Sequence, residues 1–208
     1  VVKNPKDVQI RYAFCFPDVY EVGMSHLGLR ILYHLINERE DAYCERVFTP
    51  WVDMCREMEK ENIPLFTVET GDSVKDFDIL GITLQYEMCY TSLLKTLDLA
   101  QIPRRSCDRD ESHPLVCAGG PCAYNGEPIA DFIDFFLLGE GEEQTMEYLD
   151  VYKACKEKGM SRAETIYEIS KIEGVYVPAY YDVEYEGEKI KSIKPNRKGV
   201  PEKIKKRI

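Results

Sequence analysis

The chain has 208 residues, 44% of them hydrophobic and 31% charged, a composition that excludes a disordered chain and a length that allows one substantial domain plus an appendage. Its formal net charge of -10 argues against a nucleic-acid surface, which needs clustered Lys and Arg. No apolar run approaches the roughly 20 residues of a membrane span, and no secretory segment is present.

Residues 10–16 combine β-branched, aromatic and small apolar side chains, which suits a buried first strand. Pro17 blocks further ladder pairing and Gly23 allows a tight turn, so the loop Asp18-Val19-Tyr20-Glu21-Val22-Gly23 is pinned between strand and helix. In that helix Leu27, Ile31, Leu32, Leu35 and Ile36 recur at helical spacing, with Asn37 as its stop. Residues 44–48 form a second strand. Thr49-Pro50 then offers an N-cap and a first-turn proline to a helix that turns Trp51, Met54, Cys55 and Met58 to the core and ends near Asn62.

Residues 65–68 add a short edge strand. Residues 77–84 make the next strand, which runs into Gln85-Tyr86-Glu87 and a helix burying Cys89, Leu93, Leu94 and Leu97. A fourth strand, 115–118, breaks at Gly119-Gly120-Pro121. A fifth, 135–138, ends in Gly139-Glu140-Gly141-Glu142-Glu143 and a helix to about residue 157. Beyond it, residues 161–172 read as a helix with Glu164 near the capping-box position, and 175–184 with 189–193 as a hairpin around Glu186-Gly187. The last fifteen residues are basic and rich in turn formers, as in a linker.

This alternation predicts an α/β fold: a doubly wound, parallel five-stranded sheet of flavodoxin-like type over residues 1–158. Residues 159–208 extend it as helix, hairpin and basic linker. The loops at 18–23, 83–87, 119–125 and 139–143 each follow the carboxyl end of a strand, so topology collects them on one rim, where such sheets bind ligands. The ends of the chain, Val1-Val2-Lys3 and Lys205-Lys206-Arg207-Ile208, read as those of a piece cut from something longer.

Eight cysteines without a CxxC pair read as reduced, mostly buried thiols in a cytoplasmic protein, and Cys117 with Cys122 cannot complete a zinc site. Phosphate binding fails on inspection: Gly23 and Gly28 have P-loop spacing, but Leu29-Arg30 stand where Lys and Ser or Thr are required. Glu142 and Glu143 are explained by the positive end of their own helix. Of His26, His34 and His113, only His26 lies within a turn of the rim. Asp18 and Tyr20 are forced onto the rim loop, where Asp18 could equally cap the turn with Tyr20 packed on it.

These residues together resemble the cobalamin-binding domain at the front of many radical SAM proteins. Asp18-Val19-Tyr20-Glu21-Val22-Gly23 is similar to that family's DxHxxG, with Tyr in place of His; Thr83-Leu84-Gln85 loosely matches its SxL, and Gly119-Gly120 its Gly-Gly pair. The Gly139-Glu140-Gly141-Glu142 run is typical of its radical SAM members. The resemblance spans about residues 10–180 and implies an accessory domain lining its rim with Asp18, Tyr20, Gly23, Thr83, Gln85, Gly119, Gly120, Gly139 and Glu140.

By the same resemblance, cobalamin would bind without a protein-supplied lower ligand, because a phenol with a pKa near 10 substitutes poorly for histidine at neutral pH. The four-iron–four-sulfur cluster and S-adenosylmethionine would belong to a downstream domain of the same chain, since CxxxCxxC occurs nowhere in these residues. Two rival readings are a cofactor-free docking module and a flavodoxin-like enzyme or flavin protein.

Overall fold

In a computed structural model, which describes residues 1–208, a six-stranded sheet runs in the order β2-β1-β3-β4-β5-β6. Strands β1 (Ile10–Phe16), β2 (Ala42–Phe48), β3 (Ile79–Thr83), β4 (Leu115–Gly119) and β5 (Phe135–Leu137) are parallel. The sixth, β6 (Val175–Tyr176), is antiparallel to β5 and corrects the five-stranded expectation. In the sequence its two residues read as the start of the hairpin. That hairpin is instead β7 (Tyr181–Glu186) with β8 (Lys189–Pro195), a separate two-stranded sheet that turns through Gly187 at φ +63°. Two residues are too few for the alternation that would have separated β6 from β7 in the sequence.

Between strands lie α1 (Tyr20–Gly23), α2 (Leu27–Glu38), α3 (Val52–Lys60), α4 (Cys89–Leu99), α5 (Gly141–Glu157) and α6 (Arg162–Ile169). Strand alternation sorts the core into two layers. Ala13, Cys15, Leu80, Ile82, Val116 and Ala118 face α3 and α4. Ile10, Tyr12, Phe14, Ile79, Leu115 and Cys117 face α2, α5 and α6. The two layers are not equally filled: on the second, β3 and β4 carry Gly81 and Gly119 in line with Ile79 and Leu115.

Several local expectations shift. Asn37 does not stop α2, which runs to Glu38; its buried amide instead clasps β2, donating to the Cys44 carbonyl and accepting from the Cys44 N–H, each at 3.0 Å. The core stripe of α2 is Leu29 and Ile36, while Leu27 is 68% exposed. Thr49 does not cap α3. Its hydroxyl is buried against that of Thr96 at 2.7 Å, and the helix begins at Val52 with Trp51 and Met54 exposed and Cys55 and Met58 inside.

Segment 65–68 forms only an isolated bridge from Phe66 to Ser73. Its Thr67 hydroxyl donates to Glu45 on β2 at 2.7 Å. The basic tail does not lead straight away: Arg207 pairs beside Gly139, its N–H donating to the Leu138 carbonyl at 2.8 Å and its own carbonyl accepting from Glu140 N–H at 3.2 Å. The α6 helix carries the capping box read from Ser161 and Glu164.

Candidate functional site

At the carboxyl end of the parallel strands, between the sheet and the first turns of α2 and α5, is a cavity of about 300 Å³. Its position follows from three small residues. Gly119 leaves the sheet face bare, Gly81 lets the Tyr12 ring lie low across the sheet as the cavity floor, and Gly141 opens α5 opposite them. A β-carbon on Gly81 would lie 1.8 Å from the Tyr12 hydroxyl, so the missing side chain is what lets the Tyr12 ring lie across β3. A β-carbon on Gly119 would meet only Leu137, at 3.6 Å, an ordinary contact.

The floor is polar and buried. Tyr12, 3% exposed, meets the Tyr148 hydroxyl at 2.8 Å and the Cys117 sulfur at 3.8 Å; Cys117 and Tyr148 lie 4.0 Å apart. Burial pushes both phenols well above their ordinary pKa and the thiol to about 12, so all three keep their protons at neutral pH.

The mouth is formed by Thr83, Gln85, Gly120, Gly139, Glu142 and His26. Gln85 Nε2 donates to the Thr83 hydroxyl at 2.7 Å. Gly120 has φ +97° and Gly139 φ +121°, backbone that disfavours any other residue, and a β-carbon on either would strike main chain, Leu84 O at 2.7 Å or Arg207 O at 2.0 Å. The His26 ring lies 5.1 Å from Phe16, and its Nδ1 caps α2 by accepting from Leu29 N–H at 3.1 Å. That bond assigns the neutral ring's proton to Nε2, so His26 presents a donor, not a lone pair.

Thus Thr83, Gln85, Gly119, Gly120 and Gly139 surround one cavity, and Asp18, Tyr20, Gly23 and Glu140 stand outside its wall. Asp18 accepts from Val19 N–H at 2.7 Å and from the Tyr86 hydroxyl at 2.8 Å, tying the loop after β1 to the loop after β3; the carboxylate raises the Tyr86 pKa. Tyr20 is 44% exposed and meets Phe48 edge-on at 5.2 Å, toward β2 and away from the cavity. Gly23 is packing: a β-carbon there would fall 2.6 Å from the Phe48 ring. Glu140 is the N-cap of α5.

Sequence reasoning overlooked Tyr12, Gly81 and Cys117. The available signal was a glycine inside a strand of Ile and Leu, which marks a close approach. Of the eight cysteines, seven are buried free thiols and Cys107 is exposed. Nowhere do three His, Cys, Asp or Glu side chains gather as metal ligands would. No helix is long and apolar enough to cross a membrane.

A larger open cleft of about 1030 Å³ runs under the β7–β8 hairpin, past residues 105–111 and 127–134. Its buried charges are already committed. Arg109 donates to the carbonyls of Pro103, Arg104 and Phe132, and Asp134 pairs with Arg109 and Arg162. It reads as the seam between hairpin and body, so the smaller glycine-lined cavity is the better candidate site.

Residues 28–178 match the family model for the N-terminal region of radical SAM proteins. The chain belongs to that family. It is also 28% identical over 143 residues to an uncharacterized protein of Methanocaldococcus jannaschii, an alignment covering 68% of this chain and 26% of that protein, so the chain spans about a quarter of that relative's length. Among solved structures it is similar to the radical S-adenosylmethionine methyltransferase TsrM from Kitasatospora setae, with tryptophan substrate and a SAM analogue bound. The TM-score is 0.47 at 13% identity, covering 93% of this chain and 35% of that one. At that score and identity the likeness bears on neither cofactor nor reaction.

Proposed function

We propose that this radical SAM N-terminal domain acts as an accessory domain whose rim cavity receives the nucleotide tail of a corrinoid. The observation that carries the reading is the cavity itself. About 300 Å³ of space, bared by Gly119 and floored by the Tyr12 ring over Gly81, suits a flat aromatic base and its sugar but not a whole corrin ring. Thr83, Gln85, Gly119, Gly120 and Gly139 would hold the tail, the glycines by letting backbone come close to it. Tyr20 lies outside the cavity and His26 spends its lone pair on the end of α2, so neither is disposed as a lower ligand.

A bound corrinoid would supply cobalt-centred methyl or electron transfer to the parent enzyme. This chain's part is to seat the tail, exclude water from the Tyr12 end and leave the rim open to a downstream domain of the same chain. The iron–sulfur cluster and S-adenosylmethionine would reside in that domain.

The test is a pair of ligands. The chain incubated with hydroxocobalamin should retain corrin absorbance after desalting, and cobinamide, which lacks the nucleotide tail, should wash away. Gly119→Leu should abolish retention without lowering the melting temperature by more than a few degrees. Equal retention of both corrinoids, or of neither, overturns the reading.

A second reading, a cofactor-free docking module, is favoured by a different observation. Val22, Leu27, Trp51, Met88 and Tyr124 stand on the same rim and are each at least half exposed. On that reading neither corrinoid is retained, the downstream domain binds tightly, and Asp18→Ala or Tyr20→Ala leaves that binding unchanged.

A further inference from the structure

Residues 198–207 are a docked strap, not a free tail. Tyr167 donates to the Lys198 carbonyl at 3.2 Å and Tyr181 to the Pro201 carbonyl at 2.8 Å, while Val200 and Ile204 pack on the core layer that faces α2, α5 and α6. At its end Arg207 enters a notch between two glycines. A β-carbon on Gly139 would fall 2.0 Å from the Arg207 carbonyl oxygen and shut the strap out; one on Gly174 would crowd its nitrogen at 3.1 Å.

What the strap holds is the lip of the cavity, residues 138–142, of which Gly139, Gly141 and Glu142 line the space itself. Pairing with the β6 side of the sheet reaches only to Leu138, whose N–H donates to the Gly174 carbonyl at 2.8 Å. Beyond that point the backbone partner is the strap. Arg207 N–H donates to the Leu138 carbonyl at 2.8 Å, and Glu140 N–H donates to the Arg207 carbonyl at 3.2 Å. Glu140 is the N-cap residue of α5, yet its side chain caps nothing, whereas α2 across the cavity has His26 for that task. The Arg207 guanidinium adds two ion pairs to the same helix, with Glu147 at 3.0 Å and Glu143 at 3.6 Å. A helix start without a side-chain cap depends on such tertiary contacts for its order.

We infer that the strap is a latch on the cavity. With Arg207 docked, the lip and the first turn of α5 are ordered as one wall of the cavity; with Arg207 released, that wall frays. Docking of the strap and filling of the cavity then strengthen each other by the same factor, and tension on the chain at Arg207 weakens the hold on a ligand. The ligand half of this statement rests on the corrinoid reading above, and the ordering of the lip does not.

Amide hydrogen exchange followed by NMR tests the latch on the chain without any ligand. Arg207→Glu sets a third carboxylate beside Glu143 and Glu147, and Arg207→Pro removes the N–H that the Leu138 carbonyl accepts. Each should free the strap, read as a lowered heteronuclear NOE over residues 203–206. Each should also speed exchange about threefold to tenfold at Thr145, which lines the cavity and bonds to nothing in the strap. Amides of β1 and β3 should exchange as in the wild type. Adding Glu147→Arg to Arg207→Glu should restore Thr145 protection by exchanging the charges of the pair. If Arg207→Pro does not fold, Arg207→Glu decides. Unchanged Thr145 exchange with a freed strap, or a strap that stays ordered in every folded variant, overturns the latch. With hydroxocobalamin present, Arg207→Glu should weaken binding by about threefold to tenfold, and retention at full affinity overturns the coupling. Failure of the wild-type chain to retain the corrinoid overturns the corrinoid reading and leaves the latch to the exchange data.

Discussion

A β-carbon at position 81 would collide with the Tyr12 hydroxyl, so the smallest change available at the site is also a severe one. Gly81→Ala should push the Tyr12 ring into the cavity, lowering unfolding free energy by about 1–3 kcal/mol in a urea titration and abolishing corrin retention. Tyr20→Ala tests the other side of the rim. Because that side chain is half exposed and stands outside the cavity wall, retention should be unchanged within error. An altered constant would mean that Tyr20 reaches the ligand after all. Tyr20 occupies the place of a histidine in a pattern of letters, but α1 carries it toward Phe48, and nothing in the pattern fixes which way a one-turn helix leans.

Between elements, two charge clusters hold the sheet's outer edge. Glu45, buried on β2, accepts from Arg11 at 2.6 Å, from the Thr67 hydroxyl at 2.7 Å, and from the Thr70 hydroxyl at 2.5 Å. Segment 65–68, read as an edge strand, is held by scattered backbone bonds, Leu65 N–H to Leu99 O at 2.7 Å and Val68 N–H to Arg46 O at 2.9 Å, together with the Thr67 hydroxyl, and not by a continuous ladder. Glu45→Ala leaves Arg11 with Asp72 alone, at 2.8 Å, and the Thr67 and Thr70 hydroxyls with only each other, and should cost about 1–3 kcal/mol of stability, seen as a lower urea midpoint.

The second cluster joins the turn after α2 to α5. Asp41 accepts from Arg39 at 2.9 Å and from Lys153 at 2.8 Å; Arg39 first, then Lys153, holds its pKa down at about 2. A folded pKa below the unfolded value of about 3.9 stabilises the fold above that pH, and the gain is lost as pH falls toward 2. After screening it amounts to about 1 kcal/mol. Asp41→Asn should flatten the stability profile between pH 4 and 2 and leave its shape above pH 5 unaltered, as followed by thermal melts across that range.

Taken as one body, the molecule has a well-packed sheet and a loosely attached hairpin. The body of α6 and β6 packs on the sheet, whereas residues 184–191 of the hairpin are exposed throughout. Brief trypsin treatment should therefore cut first at Lys189 or Lys191, and the nicked protein should keep its cooperative melt and whatever corrinoid it binds. An early cut within α5 would contradict this order of stability. The hairpin and the helix before it were legible because their signals are local: a capping box at Ser161 and Glu164, and alternation around a glycine. The attachment of β6 to β5 was not, since two residues carry no period and pairing partners forty positions apart leave no trace in composition.

Periodicity, turn residues and strand-ending glycines were enough to specify an α/β sheet with its loops on one rim, because each of those signals depends only on a residue and its near neighbours in the chain. Gly119, Gly120 and Gly139 belonged to that legible part. Which of the rim residues share a cavity, the roles of Gly81, Tyr12 and Cys117 in shaping its floor, and the return of Arg207 to the rim arose only on folding. They depend on side chains from β1, β3, β4 and α5 meeting across distances in sequence that no local pattern spans.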